Sequence, residues 1–286
     1  MNQPHAAVLL LAVAGCGESG PKLALRYHPP AGAVYHYALE QTTQVTMRSG
    51  PLAGMGQQQL QMRMYFTQTI TGPAAGGSGT EVLVVFDSTT LEMPGVRGDA
   101  VERELAKMRG LRSTVVFDAR AQIVRTDFGE QPGVTPAMAN QMGAGIKAMT
   151  FTFPAQPVGR GDSWTVTSEL PLGQLPGTDA SGAGPARTTL TVREIRVEGA
   201  DTSVLLDITT RFPSEPIQLH FAGQLATLTM SGELAGDQQF SLSRGAVIHA
   251  TLKGAMTMNV TAAALGSQAM VMLSETENTL RLMDGK

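Results

Sequence analysis

One cysteine, Cys16, and one tryptophan are all that this chain of 286 residues contains of either type. A lone thiol makes an internal disulfide impossible and excludes a zinc site built on paired cysteines. Lys and Arg total 21 against 24 Asp and Glu, a net charge of −3. That balance lacks the basic excess of a nucleic-acid-binding surface, so no nucleic-acid partner is expected. A membrane-spanning helix needs roughly 20 apolar residues, and the run Ala6–Ala14, AAVLLLAVA, has nine. The chain also lacks G-x-S-x-G, H-E-x-x-H, a P-loop and a dinucleotide-binding glycine fingerprint. Ser163 and Ser243 have no histidine at a spacing that marks an oriented base, and His5, His28, His36, His220 and His249 form no ligand cluster. No catalytic residue, metal site or cofactor is expected, and the chain reads as a non-enzyme.

What is present is glycine, 32 residues of it, with 42% hydrophobic and only 16% charged residues. This composition fits a β-rich exported protein better than a helical cytosolic one. Alternation supports it. Tyr35, Tyr37 and Leu39 share one face of a strand, with His36 and Glu40 on the other. Leu60, Met62, Met64 and Phe66 repeat the pattern, with Gln61, Arg63 and Gln68 assigned to the polar face. After the turn GPAAGGSG, Val82 to Phe86 is apolar on both faces, as in a covered central strand. STVVFDARAQIVRTDF reads as a hairpin turning at Asp118 to Gln122.

Two helices are expected. The first covers 99–109, with Asp99 as N-cap, Val101, Leu105 and Met108 on one face, and Gly110 closing it. The second covers 135–149, with Thr135 as cap and Pro136 at the first helical position. Its apolar stripe is Met138, Met142, Ile146 and Met149, and Gly143 and Gly145 each weaken it by roughly 0.8–1 kcal/mol relative to Ala. The Gly, Ser and Pro of LPGTDASGAGPAR, 175–187, read as a flexible loop.

The chain echoes itself at about 125 residues. Gly32-Ala33-Val34-Tyr35 and Gly161-Asp162-Ser163-Trp164 both open strands, and Phe117 and Phe240 both begin hairpins. No βαβ rhythm is visible. The expected fold is mainly β: one strongly curved antiparallel half-barrel sheet with the two helices on its concave face. The expected organisation is a signal peptide over 1–15, a tether over 16–22, and one β-rich domain over 23–286 with pseudo-halves at about 23–150 and 151–286.

Sixteen methionines stand against nine Phe and four Tyr, and most fall on apolar faces. Methionine adapts to irregular apolar partners. Met62, Met64, Phe66, Met138, Met142, Ile146 and Met149 are therefore candidate walls of a hydrophobic pocket, or of a filled core. The close pairs Met62/Met64 and Met256/Met258 lie at period two on single strands, which accounts for their spacing without a metal.

The run Ala6–Ala14 fits the hydrophobic core of a secretory signal, although MNQPH before it carries no Lys or Arg. Val13-Ala14-Gly15-Cys16 resembles the lipobox of bacterial lipoproteins. The resemblance implies cleavage after Gly15, a lipid on the Cys16 thiol and an acylated new amino terminus, palmitate being one such acyl chain. Gly17 stands where an inner-membrane retention signal has Asp, which implies the outer membrane, facing the periplasm. With GAVYHY and PVGRGDSW after a Met-rich helix, the chain resembles an uncharacterised group of bacterial secreted proteins and lipoproteins, a domain of unknown function. The architecture also resembles the carrier fold of LolA, LolB and the mycobacterial LppX and LprG proteins. That likeness implies a half-barrel over an apolar cavity. Two roles are then expected: an envelope lipoprotein that binds or carries a lipid or other hydrophobic ligand, or a structural or interaction lipoprotein with a filled core.

Overall fold

The computed structural model describes residues 22–50, 53–94, 103, 105–148, 150–171, 183–199, 201–212, 214–221, 224–262 and 269–283. Cys16, Met149 and residues 99–102 and 104 of the first expected helix lie outside the described residues.

The chain is mainly β. Five strands come first: β1 (Val34–Ser49), β2 (Gln57–Pro73), β3 (Thr80–Glu92), β4 (Arg112–Phe117) and β5 (Ile123–Asp127). A helix, α1 (Pro136–Ala148), follows. Then come β6 (Ser163–Pro171), β7 (Ala183–Glu198), β8 (Asp201–Phe212), β9 (Ile217–Phe221), β10 (Gln224–Ser241), β11 (Ala246–Ala262) and β12 (Met270–Met283).

All twelve belong to one antiparallel sheet, in the order β5-β4-β3-β2-β1-β12-β11-β10-β8-β7-β6, with β9 paired to β10 beside that path. Most strands thus neighbour the next in sequence, the exceptions being β5 with β6 and β8 with β9, and the first strand pairs with the last. The order is that of an up-and-down barrel left unclosed between β5 and β6. Helix α1 lies at that seam and touches both edge strands.

The helix forms where its caps specify. The Thr135 carbonyl accepts from Ala139 N–H at 2.9 Å, and its hydroxyl accepts from Met138 N–H at 3.2 Å. Gly143 is more than a weak point in it: a Cβ there would sit 3.2 Å from Thr126 Oγ1, so the bare backbone lets α1 lie close on β5.

Curvature has a visible source in β10 and β11. A Cβ on Gly254 would fall 2.0 Å from the Glu233 carbonyl oxygen, and one on Gly232 would fall 2.2 Å from that of Ala255. These strands bend where only glycine lets the neighbouring backbone approach.

Three expectations change. Ala183–Arg187 is not loop but the start of β7, paired with Thr167–Pro171. Its Ala186 is buried, and sheet pairing overrides the local Gly and Pro signal. Gln68 lies opposite Tyr35 and Val84, on the same side as Phe66, because β2 keeps its two-residue period there. On β3 only Val82, Val84 and Phe86 are fully buried; Leu83 and Val85, on the outward face, are half-buried.

One end of the sheet is plugged, and we call it the base. Residues 22–30 cross it as a strap. Leu23 pairs with Val158, Tyr27 N–H donates to the Ala119 carbonyl at 3.0 Å, and Phe153 N–H donates to the Arg120 carbonyl at 2.7 Å. Leu25, Phe153, Leu190, Leu206 and Phe240 form one buried cluster there; Val82, Phe86, Val115 and Ile123 form a second. Tyr27 touches both clusters, and burial pushes its phenol well above the ordinary tyrosine range. The two glycines that open β1 and β6, Gly32 and Gly161, both have positive φ, 79° and 85°. Each leads to an aromatic on the inward side, Tyr35 and Trp164.

Candidate functional site

Above the base the inward face changes character. Its wall runs over β2, β1, β12 and β11, and register places the residues. Leu39 lies between Met64 and Leu280, Thr43 between Leu60 and Thr276, and Val45 between Gln58 and Ser274. Met62, Met256 and Leu252 continue the same face. Every one of these apolar side chains is half-buried, where Leu25, Val82, Val115, Leu190 and Leu206 at the base are buried. In water, apolar groups left half-exposed on a concave wall forgo burial free energy of about 25 cal/mol per Å². The arrangement is an apolar trough.

The trough is not uniformly greasy. Gln41 Nε2 donates to Thr43 Oγ1 at 3.2 Å, and Thr43 Oγ1 lies 3.3 Å from Thr276 Oγ1. Asn278 stands opposite Gln41. These four make a polar belt halfway along the wall. Two more inward hydroxyls, Thr89 beside Met64 and Ser113 opposite Val84, are buried without a hydrogen-bond partner.

The expected pocket residues divide. Met64, Phe66, Met142 and Ile146 pack against the same cluster under α1. The helix turns Ala139, Met142 and Ile146, all half-buried, and the buried Gly143 towards it; Met138 is half-buried as well. Met62 lies on the trough wall, opposite Gln41 and Leu91. The residues missed from sequence are Leu39, Thr43, Val45, Leu60 and Thr276. Their alternation was visible; their neighbours were not. A separate recess of about 440 Å³ lies outside the trough, at the start of α1, between Gly129–Pro132 and Val134–Ala139.

The outward face carries the charged Glu40, Arg63, Lys253 and Glu277, with apolar residues such as Tyr65, Leu83 and Val85 among them. Arg211 pairs with Glu233 at 2.7 Å, and Arg193 pairs with Asp207. A barrel facing lipid carries an apolar band outside; these strands carry their apolar side within. No described helix is long and apolar enough to cross a membrane.

Polar clusters elsewhere hold the fold. Asp201 accepts from Ser243 Oγ at 2.6 Å and from Ser241 Oγ at 2.8 Å, at the turn between β10 and β11. Burial raises the Asp201 carboxyl, but these hydrogen bonds outweigh it and hold the group below the ordinary carboxylate range. The same turn abuts Pro29 through Gly245, and the Arg244 carbonyl accepts from Tyr35 Oη at 2.6 Å, so Asp201 secures the base. Ser163 sits in β6 opposite Thr191. His36 is exposed on the outward face, with Nδ1 2.9 Å from Thr67 Oγ1. Among the described residues no three of His, Cys, Asp or Glu gather to hold a metal ion.

No protein-family model matches the chain, and no curated protein sequence matches it. Among solved structures it is similar to lipovitellin, in a structure described by its lipid–protein interactions. The identity is 11% and the TM-score 0.48, over 90% of this chain and 25% of that one, so this chain spans a quarter of lipovitellin's length. It is also similar to DynF, from the dynemicin biosynthesis pathway of Micromonospora chersina, at 9% identity and TM-score 0.25 over 97% of this chain and 92% of DynF. The β domain of the Bordetella autotransporter BrkA follows, at 11% identity and TM-score 0.22 over 89% of this chain and all of that one.

Proposed function

We propose that this protein is a non-enzymatic envelope lipoprotein that binds or carries a lipid or another hydrophobic ligand in its trough. The observation that carries the reading is the half-buried apolar wall: Leu39, Val45, Leu60, Met62 and Leu280 all face inward, above a base with two buried clusters. A linear acyl chain along this wall would cover them. The belt of Gln41, Thr43, Thr276 and Asn278 would meet an ester or other polar group partway along it. Flexible methionines let one wall accept chains of differing shape. The lipobox-like Val13-Ala14-Gly15-Cys16 supplies the membrane end: two or three acyl chains on Cys16 anchor a protein where one would not.

Native mass spectrometry of the protein extracted from its own membranes tests the ligand. A co-purified lipid of defined mass, beyond the covalent acyl chains, is the expected result. Protein that carries only its covalent acyl chains supports the alternative of a structural lipoprotein with no ligand. The anchor has its own test. Cys16→Ser should leave an uncleaved or soluble precursor without lipid label, and a membrane-bound mature form of that variant refutes the anchor.

A further inference from the structure

Register sets four methionines side by side across four adjacent strands. Met47 of β1 lies opposite Met272 of β12, Met272 opposite Met258 of β11, and Met258 opposite Met230 of β10. All four point inward, at the end of the trough away from the base. Met256 and Met270 flank the row and pack with Met230, Met258 and Met272 in one cluster. Along any single strand the sequence shows at most a pair of these residues; the row exists only once the strands are paired.

Apolar packing alone explains a mixture of Leu, Val and Met, as the rest of the inner face has. A row of thioethers in register offers more. Directly opposed side chains stand about 4.5–5.5 Å apart at Cβ. Each methionine has three rotatable bonds beyond its backbone. Sulfur atoms from three adjacent strands can therefore turn towards one point between them. Thioether sulfur is a soft, neutral ligand that selects copper(I) over hard cations, which need oxygen donors. The row is graded in access: Met230 and Met258 are 1% and 5% exposed, while Met47 and Met272 are half-buried and open on the trough. An ion would enter past the outer pair and finish with its inner side dry.

We infer that Met47, Met272 and Met258 form a thioether site for a monovalent soft cation, copper(I), with Met256 and Met230 beside it. The site is independent of the acyl-binding reading, since leucine in place of these methionines keeps the wall apolar. The test uses the full chain in detergent, titrated anaerobically with copper(I) against a competing chelator. Silver(I) serves as a redox-silent second probe, with methyl-labelled methionine observed by NMR. One equivalent should bind, and the methyl signals of Met47, Met258 and Met272 should move together. Met272→Leu and Met47→Leu, both near-isosteric, should each weaken copper(I) binding at least tenfold while the unfolding midpoint stays nearly unchanged. No chelator-resistant uptake, or equal affinity in the variant carrying both changes, overturns the site. So do methyl shifts confined to other methionines. If Met272→Leu does not fold, Met47→Leu, on the more open side of the row, carries the same test.

Discussion

The base and the trough are walls of one sheet, lined by the same kinds of inward apolar side chain, and they differ in what lies over them. At the base Leu25, Phe153 and Tyr27 arrive from outside the strands and bury Leu190, Leu206 and Phe240. Along the trough Leu39, Leu60 and Met62 have their neighbours on the sheet and the polar belt, and they stay half-buried. Strand pairing is continuous in both places, although the bulges at Val116/Phe117, Val192/Glu194 and Gln239/Phe240 fall near the base. Coverage, more than the sheet itself, therefore separates the part that stabilises the protein from the part available to a ligand.

The largest expected effect breaks the covered side. Phe153 packs edge-on to Phe240 with ring centres 4.8 Å apart, and Phe153→Ala should cost about 3–5 kcal/mol in chemical denaturation. A loss as small as that of a surface change would mean that the base is not the stabilising core. Next comes the turn that secures the base. Asp201→Asn, which takes the charge from hydrogen bonds donated by Ser241 and Ser243, should cost about 1.5–3 kcal/mol at neutral pH. Because the folded carboxyl is held low, its contribution is present above the unfolded carboxylate range and is lost as pH falls through the folded value. The variant should accordingly show a flatter acid limb of stability than the wild type, measured by denaturation at stepped pH.

Curvature joins the two regions, and Gly254→Ala tests it. With φ at +159° and the new Cβ directed at the Glu233 carbonyl, this change should cost about 1–3 kcal/mol. It should also alter ligand binding, since the bend shapes the trough. The smallest stability effect belongs to the uncovered wall. Met62→Ala should cost about 1 kcal/mol or less, because little packing is lost, yet weaken fatty-acid binding measurably. A cost like that of Phe153→Ala would place Met62 in a filled core.

Much of this molecule was legible from local pattern. Two-residue alternation located the long strands, Thr135 and Pro136 located the start of α1, and Asp118 to Gln122 located a hairpin turn. The strap was not legible: the stretch 22–30 is short and rich in Pro, and nothing local says that it crosses the end of a sheet. What local pattern cannot carry is which distant strands meet. The pairing of β1 with β12 joins residues more than 200 positions apart, and it creates the polar belt from Thr43 and Thr276 and the methionine row from Met47 and Met272. The strand Ala183–Arg187 was hidden for a related reason. Its Gly and Pro read as loop until β6 supplies the partner that holds them extended.

A trough open to a hydrophobic ligand should lose that ligand when it is filled. Thr43 faces the middle of the wall and is half-buried, so Thr43→Trp would place a large ring across the trough while leaving the base untouched. The measurement is a titration of the delipidated wild type and this variant with a fluorescent fatty acid, with thermal unfolding recorded alongside. Saturable binding of one equivalent to the wild type is expected, weakened at least tenfold in Thr43→Trp at a nearly unchanged unfolding midpoint. No saturable binding to the wild type, or the same affinity in both proteins, would contradict an open trough.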